Sequence, residues 1–351
     1  MRLCPICSLR FEKKFEIGEC GICSNKMEEA KRIIDDNDFK TEAKNARKFS
    51  ISSSISRKMM INEERFFDLS KGESIKNQLN RMFYSKIKEK TGMGYDTENP
   101  DVVFSINLET LDVSSRPGSL FFFGRYKKLE KEIAQKRWIY EKFPSVEVII
   151  GEKAVPFFGA IDYTMHASGR EDIDVTNTAG RPFVMEIREA RQRKMDLKKL
   201  EQEVNKDTRI SVELIGYVPS SFVYLVSDSH FDKAYRAYLE CEEGLDDRDF
   251  ERIMELNGKT IDQQTPIRVM NRRTDKVRQR KVYGIGIGKD ENGVYADIDC
   301  EAGMYIKELI NGDQGRTDPS FSKATNKRIT CKSLIVTKIN DSFLDGALVN
   351  V

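Results

Sequence analysis

Histidine is nearly absent, with only His166 and His230 in 351 residues. That scarcity argues against a multi-histidine metal centre or a Ser-His-Asp triad and leaves at most a single imidazole as a base. Long apolar runs are missing as well; stretches such as Leu120-Phe121-Phe122-Phe123 fall far short of the roughly 18 residues of a membrane span. Charge of one sign is also lacking, since 59 Lys and Arg face 57 Asp and Glu for a net charge of +2. Summed over the whole chain, that balance gives no sign of a nucleic-acid partner, although partners meet patches and not sums. The opening residues, Met1-Arg2-Leu3-Cys4-Pro5, contain no apolar stretch of a signal peptide. A reducing, cytoplasmic location without a membrane partner is therefore expected, where cysteines need not form disulfides. What is present, 39% hydrophobic and 33% charged residues, suits a globular chain of two or three domains at roughly 100–200 residues each.

Four of the seven cysteines fall in two C-x2-C pairs, Cys4-Pro-Ile-Cys7 and Cys20-Gly-Ile-Cys23. Each pair can form a tight knuckle that presents two thiolates to one tetrahedral ion. Four soft ligands leave no open position for catalysis, so a structural Zn2+ is favoured over a Cys4 iron–sulfur cluster or four free thiols. Cys241, Cys300 and Cys331 sit singly in strand-like sequence and read as buried thiols.

Helical periodicity runs through 26–48, and Ser50-Ile-Ser-Ser-Ser-Ile-Ser56 then reads as a linker. A helical period returns over about 60–92 (Phe66, Phe67, Leu69, Ile75, Leu79, Met82, Phe83), followed by strand-like runs at Val102–Leu108 and Ser119–Phe123. Beyond these, helix-like and strand-like stretches alternate irregularly, with a charged helix expected over 189–205. The pattern predicts an α+β chain whose C-terminal part carries helices on a mixed, mainly antiparallel sheet. Gly284-Ile-Gly-Ile-Gly288 precedes a hairpin turn and not a helix, so it reads as strand glycines and no nucleotide cofactor is expected.

The charge is local. Residues 268–281 hold seven basic side chains against one acidic, a charge of +6, while 240–255 carry −6. The basic stretch suits phosphate contacts, the alternative being a solvated hairpin.

The segment Ser168-Gly169-Arg170-Glu171-Asp172-Ile173-Asp174-Val175, with Gly180-Arg181-Pro182-Phe183 behind it, gathers three carboxylates and an arginine. In an extended geometry Asp172 and Asp174 share a face. Such acids can cap a loop, bind a divalent metal, or hold one reactive carboxylate against an arginine.

This string resembles the signature of the Pus10 family of tRNA pseudouridine synthases. Further segments are similar in the same order: Phe123-Gly124-Arg125-Tyr126-Lys127-Lys128, Gln135-Lys-Arg-Trp138, Gln264-Thr265-Pro266-Ile-Arg268, Arg272-Arg273, and Ala302-Gly303-Met-Tyr305-Ile306-Lys307-Glu308-Leu309. The resemblance implies a Cys4 zinc module (1–28; Cys4, Cys7, Cys20, Cys23), a THUMP-like RNA-binding domain (29–128) and a pseudouridine synthase domain (129–351). It implies isomerisation of uridine 54 and/or 55 in the tRNA T-arm, archaeal in type, with no cofactor for catalysis. Asp172 matches the essential carboxylate, Lys307 its basic partner, Tyr235 the tyrosine that stacks on the base, Leu334 the pocket floor, and Arg170 the side chain that fills the vacated space. Tyr305 is placed at the substrate, with core packing as its alternative. Arg268, Arg272, Arg273, Arg278 and Arg280 are the expected RNA contacts. Thr176 stands where family members carry an Arg, which removes a phosphate or loop contact. His230 reads as structural. The rival readings are a non-catalytic tRNA-binding or chaperone protein and a metal-dependent nuclease using Glu171, Asp172 and Asp174.

Overall fold

The computed structural model describes residues 2–11, 14–66, 72–138, 143–271 and 273–348. The chain divides into two compact units, one of Met1–Leu120 with Gly159–Ile161 and Arg188–Arg193, the other of Phe121–Phe158, Asp162–Ile187 and Lys194–Val351.

In the first unit, β1 (Arg2–Leu3), α1 (Pro5–Ser8) and β2 (Glu16–Ile17) frame the paired cysteines. Next come α2 (Lys26–Asp36), which buries Met27, Ala30 and Ile34 at helical spacing, and α3 (Phe39–Glu42). The remainder is β3 (Lys48–Ser54), α4 (Arg57–Phe66), α5 (Ile75–Thr91), β4 (Gly94–Tyr95), β5 (Val102–Asn107) and β6 (Val113–Pro117), with sheet order β4-β3-β5-β6. The Ser74 hydroxyl accepts from the Asn77 N–H to start α5, and Gly92, at φ +70, ends it. Phe67 and Leu69 lie outside the described residues.

The serine run is not a linker: through Ser54 it is strand β3, whose serines pair in parallel with β5, while Lys48 and Phe49 ahead of them pair with β4. Phe49 stacks on Tyr84 of α5, and the Ser53 hydroxyl bonds Asn80 of the same helix. Unbroken pairing with β5 and packing on one face override serine's weak strand preference.

The second unit contains β7 (Leu120–Lys128), α6 (Val146–Phe158), β8 (Asp162–Ala167), β9 (Val175–Arg188), α7 (Leu197–Val204), β10 (Ile210–Tyr217), α8 (Phe222–Ser227) and β11 (Lys233–Glu240). Then follow α9 (Asp247–Met254), β12 (Thr260–Gln264), β13 (Val277–Asp290), β14 (Gly293–Cys300), α10 (Ile306–Asn311), β15 (Thr317–Asp318), α11 (Phe321–Thr325), β16 (Thr330–Ile339) and α12 (Phe343–Leu348). The sheet order is β10-β7-β9-β16-β11-β14-β13-β12-β15, with β8 added on β9. β9 and β16 run parallel, whereas β10–β7, β11–β16, β11–β14, β13–β14, β12–β13 and β12–β15 are antiparallel. This is the expected mixed, mainly antiparallel sheet. Its core includes Val184, Ala237, Ile298, Val336 and Leu309.

Because β7 pairs with β10, residues 121–128 belong to this unit, although the sequence reading placed them in the accessory domain. The helix expected over 189–205 is only α7, since Asp196 caps its N-terminus by accepting from the Lys198 N–H. The glycines at 284, 286 and 288 lie in β13 as strand residues; a Cβ at Gly288 would come within 2.5 Å of the Tyr295 ring. Of the three single cysteines only Cys300 is fully buried, while Cys241 and Cys331 are half-buried. No helix among the described residues is long and apolar enough to cross a membrane.

Candidate active site and four-cysteine cluster

The loop between β8 and β9 turns at Gly169 (φ +66), a conformation that favours glycine. It buries Glu171 and leaves the neighbouring Asp172 side chain 40% exposed. Glu171 Oε2 lies 2.7 Å from Arg181 Nε on β9, and both side chains are 2% exposed. The Tyr126 hydroxyl donates to Glu171 Oε1 at 2.9 Å, and Gln135 Nε2 donates to that hydroxyl and to the Gly169 carbonyl. Arg181 Nη1 also donates to the Ser168 carbonyl, 2.7 Å away. A buried pair is tolerated only when further hydrogen bonds satisfy it, and this one holds the loop from below. Arg181 was not singled out in the sequence, although it stands in the quoted Gly-Arg-Pro-Phe string. Glu171, committed here, is not free to join Asp172 and Asp174 on a metal.

Above this layer is a cavity of about 330 Å3 in the second unit, which Glu171 and Arg181 themselves help to line. The 169–175 loop brings Arg170 and Asp172, β11 brings Lys233 and Tyr235, and β16 brings Leu334 and Val336. The 268–273 segment brings Arg268 and Arg273, and residues 302–307 bring Tyr305 and Lys307. Tyr235 faces Val336 across the β11–β16 pair, and Leu334, one pleat along, faces Ala237. Burial pushes the Tyr235 phenol above its ordinary pKa, so it is neutral at physiological pH. Arg170 lies over the Trp138 ring, 5.7 Å from its centroid.

The partners of Asp172 differ in rank from expectation. Arg268 Nη1 is 2.8 Å from Asp172 Oδ2, whereas Lys307 Nζ is 3.4 Å from it. Lys307 instead reaches both oxygens of Asp174, at 2.7 and 2.8 Å. Burial would raise the Asp174 carboxyl, but hydrogen bonds from Lys307 and its charge outweigh this and hold it below the usual carboxylate range. Arg268 also donates through Nε to Glu308 Oε1 at 2.7 Å, and Glu308 is 3% exposed. Desolvation opposes the charge on Arg268, and Glu308 and Asp172 more than restore it. The residue expected on RNA phosphate is thus fixed between two carboxylates.

Arg273 Nη1 donates to the Tyr305 hydroxyl at 2.9 Å, which places Tyr305 at the rim and not in the core. Arg272 lies outside the described residues. Arg278 and Arg280 do not line the cavity: Arg278 donates to the Thr265 hydroxyl, and Arg280 to the Gln279 carbonyl. His230, read as structural, lines the cavity with Nδ1 2.9 Å from the Asp228 carbonyl. Lys233 lines it too and donates to the Phe231 carbonyl; burial, then the charge of Arg181, lowers its pKa to about 8. It could have been found from the period-two spacing of Lys233 and Tyr235. Thr176 is in β9, opposite Ile335 of β16.

In the first unit the Sγ atoms of Cys4, Cys7, Cys20 and Cys23 all lie within 4.8 Å of one another and are buried. Cys4–Cys23 and Cys7–Cys23 are separated by 3.8 and 3.6 Å. A tetrahedron of metal–sulfur bonds of about 2.3 Å has edges of about 3.8 Å, so this donor set fits one tetrahedral ion.

A Pus10 C-terminal family model matches residues 121–340, and an archaeal Pus10 THUMP domain model matches residues 30–107. The chain belongs to the Pus10 family. Proteins named tRNA pseudouridine synthase Pus10 are similar to it: that of Methanocaldococcus jannaschii is 40% identical over 268 residues, covering 71% of this chain and 59% of that protein. That of Thermoplasma acidophilum is 37% identical over 276 residues (77% of this chain, 71% of the relative). That of Archaeoglobus fulgidus is 32% identical over 343 residues (92% and 95%). The aligned part therefore spans under two thirds of the Methanocaldococcus protein and nearly all of the Archaeoglobus one. The Pus10 C-terminal match contains every described residue of the cavity.

Proposed function

We propose that this chain is a tRNA pseudouridine synthase that isomerises uridine 54 and/or 55 of the T-arm, with Asp172 as its essential carboxylate. The observation that carries the reading is Asp172 itself: a half-exposed carboxylate, paired with Arg268, inside a cavity walled by an aromatic ring and aliphatic side chains. Such a cavity has the size and mixed lining of a small-molecule site. A target uridine must leave its stack to enter it. Tyr235 then stacks on the uracil, Leu334 closes the floor, and Arg170 fills the vacated position. Asp172 either adds to C1′ of the ribose or removes a ribose proton, and the C1′–N1 bond breaks. The base turns and C1′ bonds to C5 as the Asp172–C1′ bond breaks or, in the other route, as the ribose regains its proton from Asp172; the C5 proton is then lost and N1 gains one. Atoms balance without a cofactor. Arg268 orients the carboxylate from 2.8 Å, and Lys307 keeps Asp174 occupied beside it.

Arg272, Arg273, Arg278 and Arg280, with the THUMP domain, supply the wider tRNA contacts, and Arg273 orients Tyr305 at the rim. The four cysteines hold a structural Zn2+ that takes no part in the reaction. The domains run over 1–28, 29–120 and 121–351, the second boundary moved from the expected 128/129 because β7 pairs with β10. The test is incubation with an unmodified tRNA transcript and mapping of pseudouridine by carbodiimide primer extension. Product at 54 or 55, unaffected by EDTA, is expected; no product, or EDTA-sensitive strand cleavage, overturns the reading.

A further inference from the structure

Strand β7 presents Tyr126 and Lys128 on one face, two residues apart. Together they grip successive residues of the loop that carries Asp172. Tyr126 takes the Glu171 side chain, and Lys128 Nζ donates to the main-chain oxygens of Asp172 at 2.9 Å and Ile173 at 3.2 Å. A third bond, 3.0 Å long, goes to the Ile133 carbonyl. An ammonium has three donors and no acceptor, so these carbonyls use all of them. Lys128 is fully buried (0% exposed), and among the described residues no carboxylate is bonded to its Nζ. A cation so placed costs stability that an apolar side chain of similar volume would not.

We propose that Lys128 is a positioning residue of the active site, whose ammonium clamps the main-chain oxygens of Asp172 and Ile173 and so fixes the direction of the Asp172 carboxylate. The proposal rests on Asp172 being the essential carboxylate. The charged groups facing Lys128 are Glu171, Asp172 and Asp174 on the loop and Arg181 on β9; β10 contributes Ile210 opposite it, and the 129–135 segment the Ile133 carbonyl. Burial outweighs the three carboxylates and lowers the lysine to about 8. Above that pH the amine keeps two hydrogens for three carbonyls and turns its lone pair on one of them. The clamp loosens without any change at the cavity wall.

The experiment compares wild type, Lys128→Met and Lys128→Arg in the full chain. Single-turnover pseudouridine formation and tRNA affinity are measured on an unmodified tRNA transcript from pH 6.5 to 9.5. Lys128→Met is expected to lose roughly a hundredfold in rate, as for a small misplacement of a reacting group, with affinity within about twofold. The wild-type rate falls through about pH 8; Lys128→Arg recovers part of the lost rate, and its alkaline fall moves upward because arginine stays charged. A folded Lys128→Met with wild-type rate overturns the proposal. So does an alkaline fall that stays at pH 8 in Lys128→Arg, which would assign it to Lys233. If Lys128→Met does not fold, the wild-type and arginine profiles decide alone. A wild type that makes no pseudouridine at any pH sinks the proposed function instead.

Discussion

Arg268 Nη1 lies 2.8 Å from Asp172 Oδ2, closer than Lys307 Nζ at 3.4 Å, and the same guanidinium is tied through Nε to the buried Glu308. The planar fork of arginine lets one side chain serve both carboxylates; a lysine reaches only one. Arg268→Lys is therefore expected to lower the single-turnover rate by roughly 10- to 100-fold, the loss of a charge-assisted hydrogen bond. Lys307→Met is expected to cost less, because its principal partner is Asp174. Rapid-quench assays of both variants check the order; a larger loss in Lys307→Met would show that the lysine is the effective partner.

Glu171 and Arg181 make the buried pair on which the loop rests. Glu171→Ala leaves the guanidinium buried without its carboxylate, and about 3–5 kcal/mol of stability should be lost. Urea unfolding of the full chain measures it. A variant as stable as wild type would mean that water or another acceptor replaces the carboxylate.

Lys233 gives stability a pH dependence whose sign is fixed. With its pKa lowered to about 8 in the fold against 10.5 in the unfolded chain, the unfolded state binds more protons between these values. Its charging penalty is full below pH 8 and is relieved as the pH rises toward 10.5, so this group makes the fold more stable in that window. Wild type should gain stability relative to Lys233→Met between pH 7.5 and 9.5, at most about 1.4 kcal/mol per pH unit. Unfolding midpoints at the two pH values test this, and parallel shifts in both proteins contradict it.

The four-cysteine cluster is expected to carry about one equivalent of zinc in the purified chain, and Cys23→Ser to lose it. Structural zinc contributes on the order of 10 kcal/mol to the fold it closes, so the variant's first unit should unfold at markedly lower temperature. Metal analysis with calorimetry reads both; under half an equivalent of zinc, and no iron, counts against the site.

Much of the cavity was legible because its residues occur in short motifs whose chemistry survives without coordinates. Arg170, Asp172, Tyr235, Tyr305, Lys307 and Leu334 were all named from the chain, and all line it. What sequence could not give was pairing over distance. Nothing in the basic run 268–281 distinguishes Arg268, which pairs with Asp172 and Glu308, from Arg278, which bonds the Thr265 hydroxyl and the Lys276 carbonyl. Lys128, Arg181 and Glu308 look like ordinary surface charges until burial shows them beneath or beside the loop. In the fold, local composition misled where tertiary pairing won: the serines of β3 are strand because β5 pairs with them through Ser54. The helix expected from 189 starts late because Asp196 caps it.

The most direct test of the account is Asp172→Asn, which keeps the shape of the side chain and removes its charge. On an unmodified tRNA transcript under single-turnover conditions, wild type should form pseudouridine in the T-arm. The variant should form none above background, while binding tRNA and melting as wild type does. An asparagine variant that makes pseudouridine at the wild-type rate would contradict the central claim.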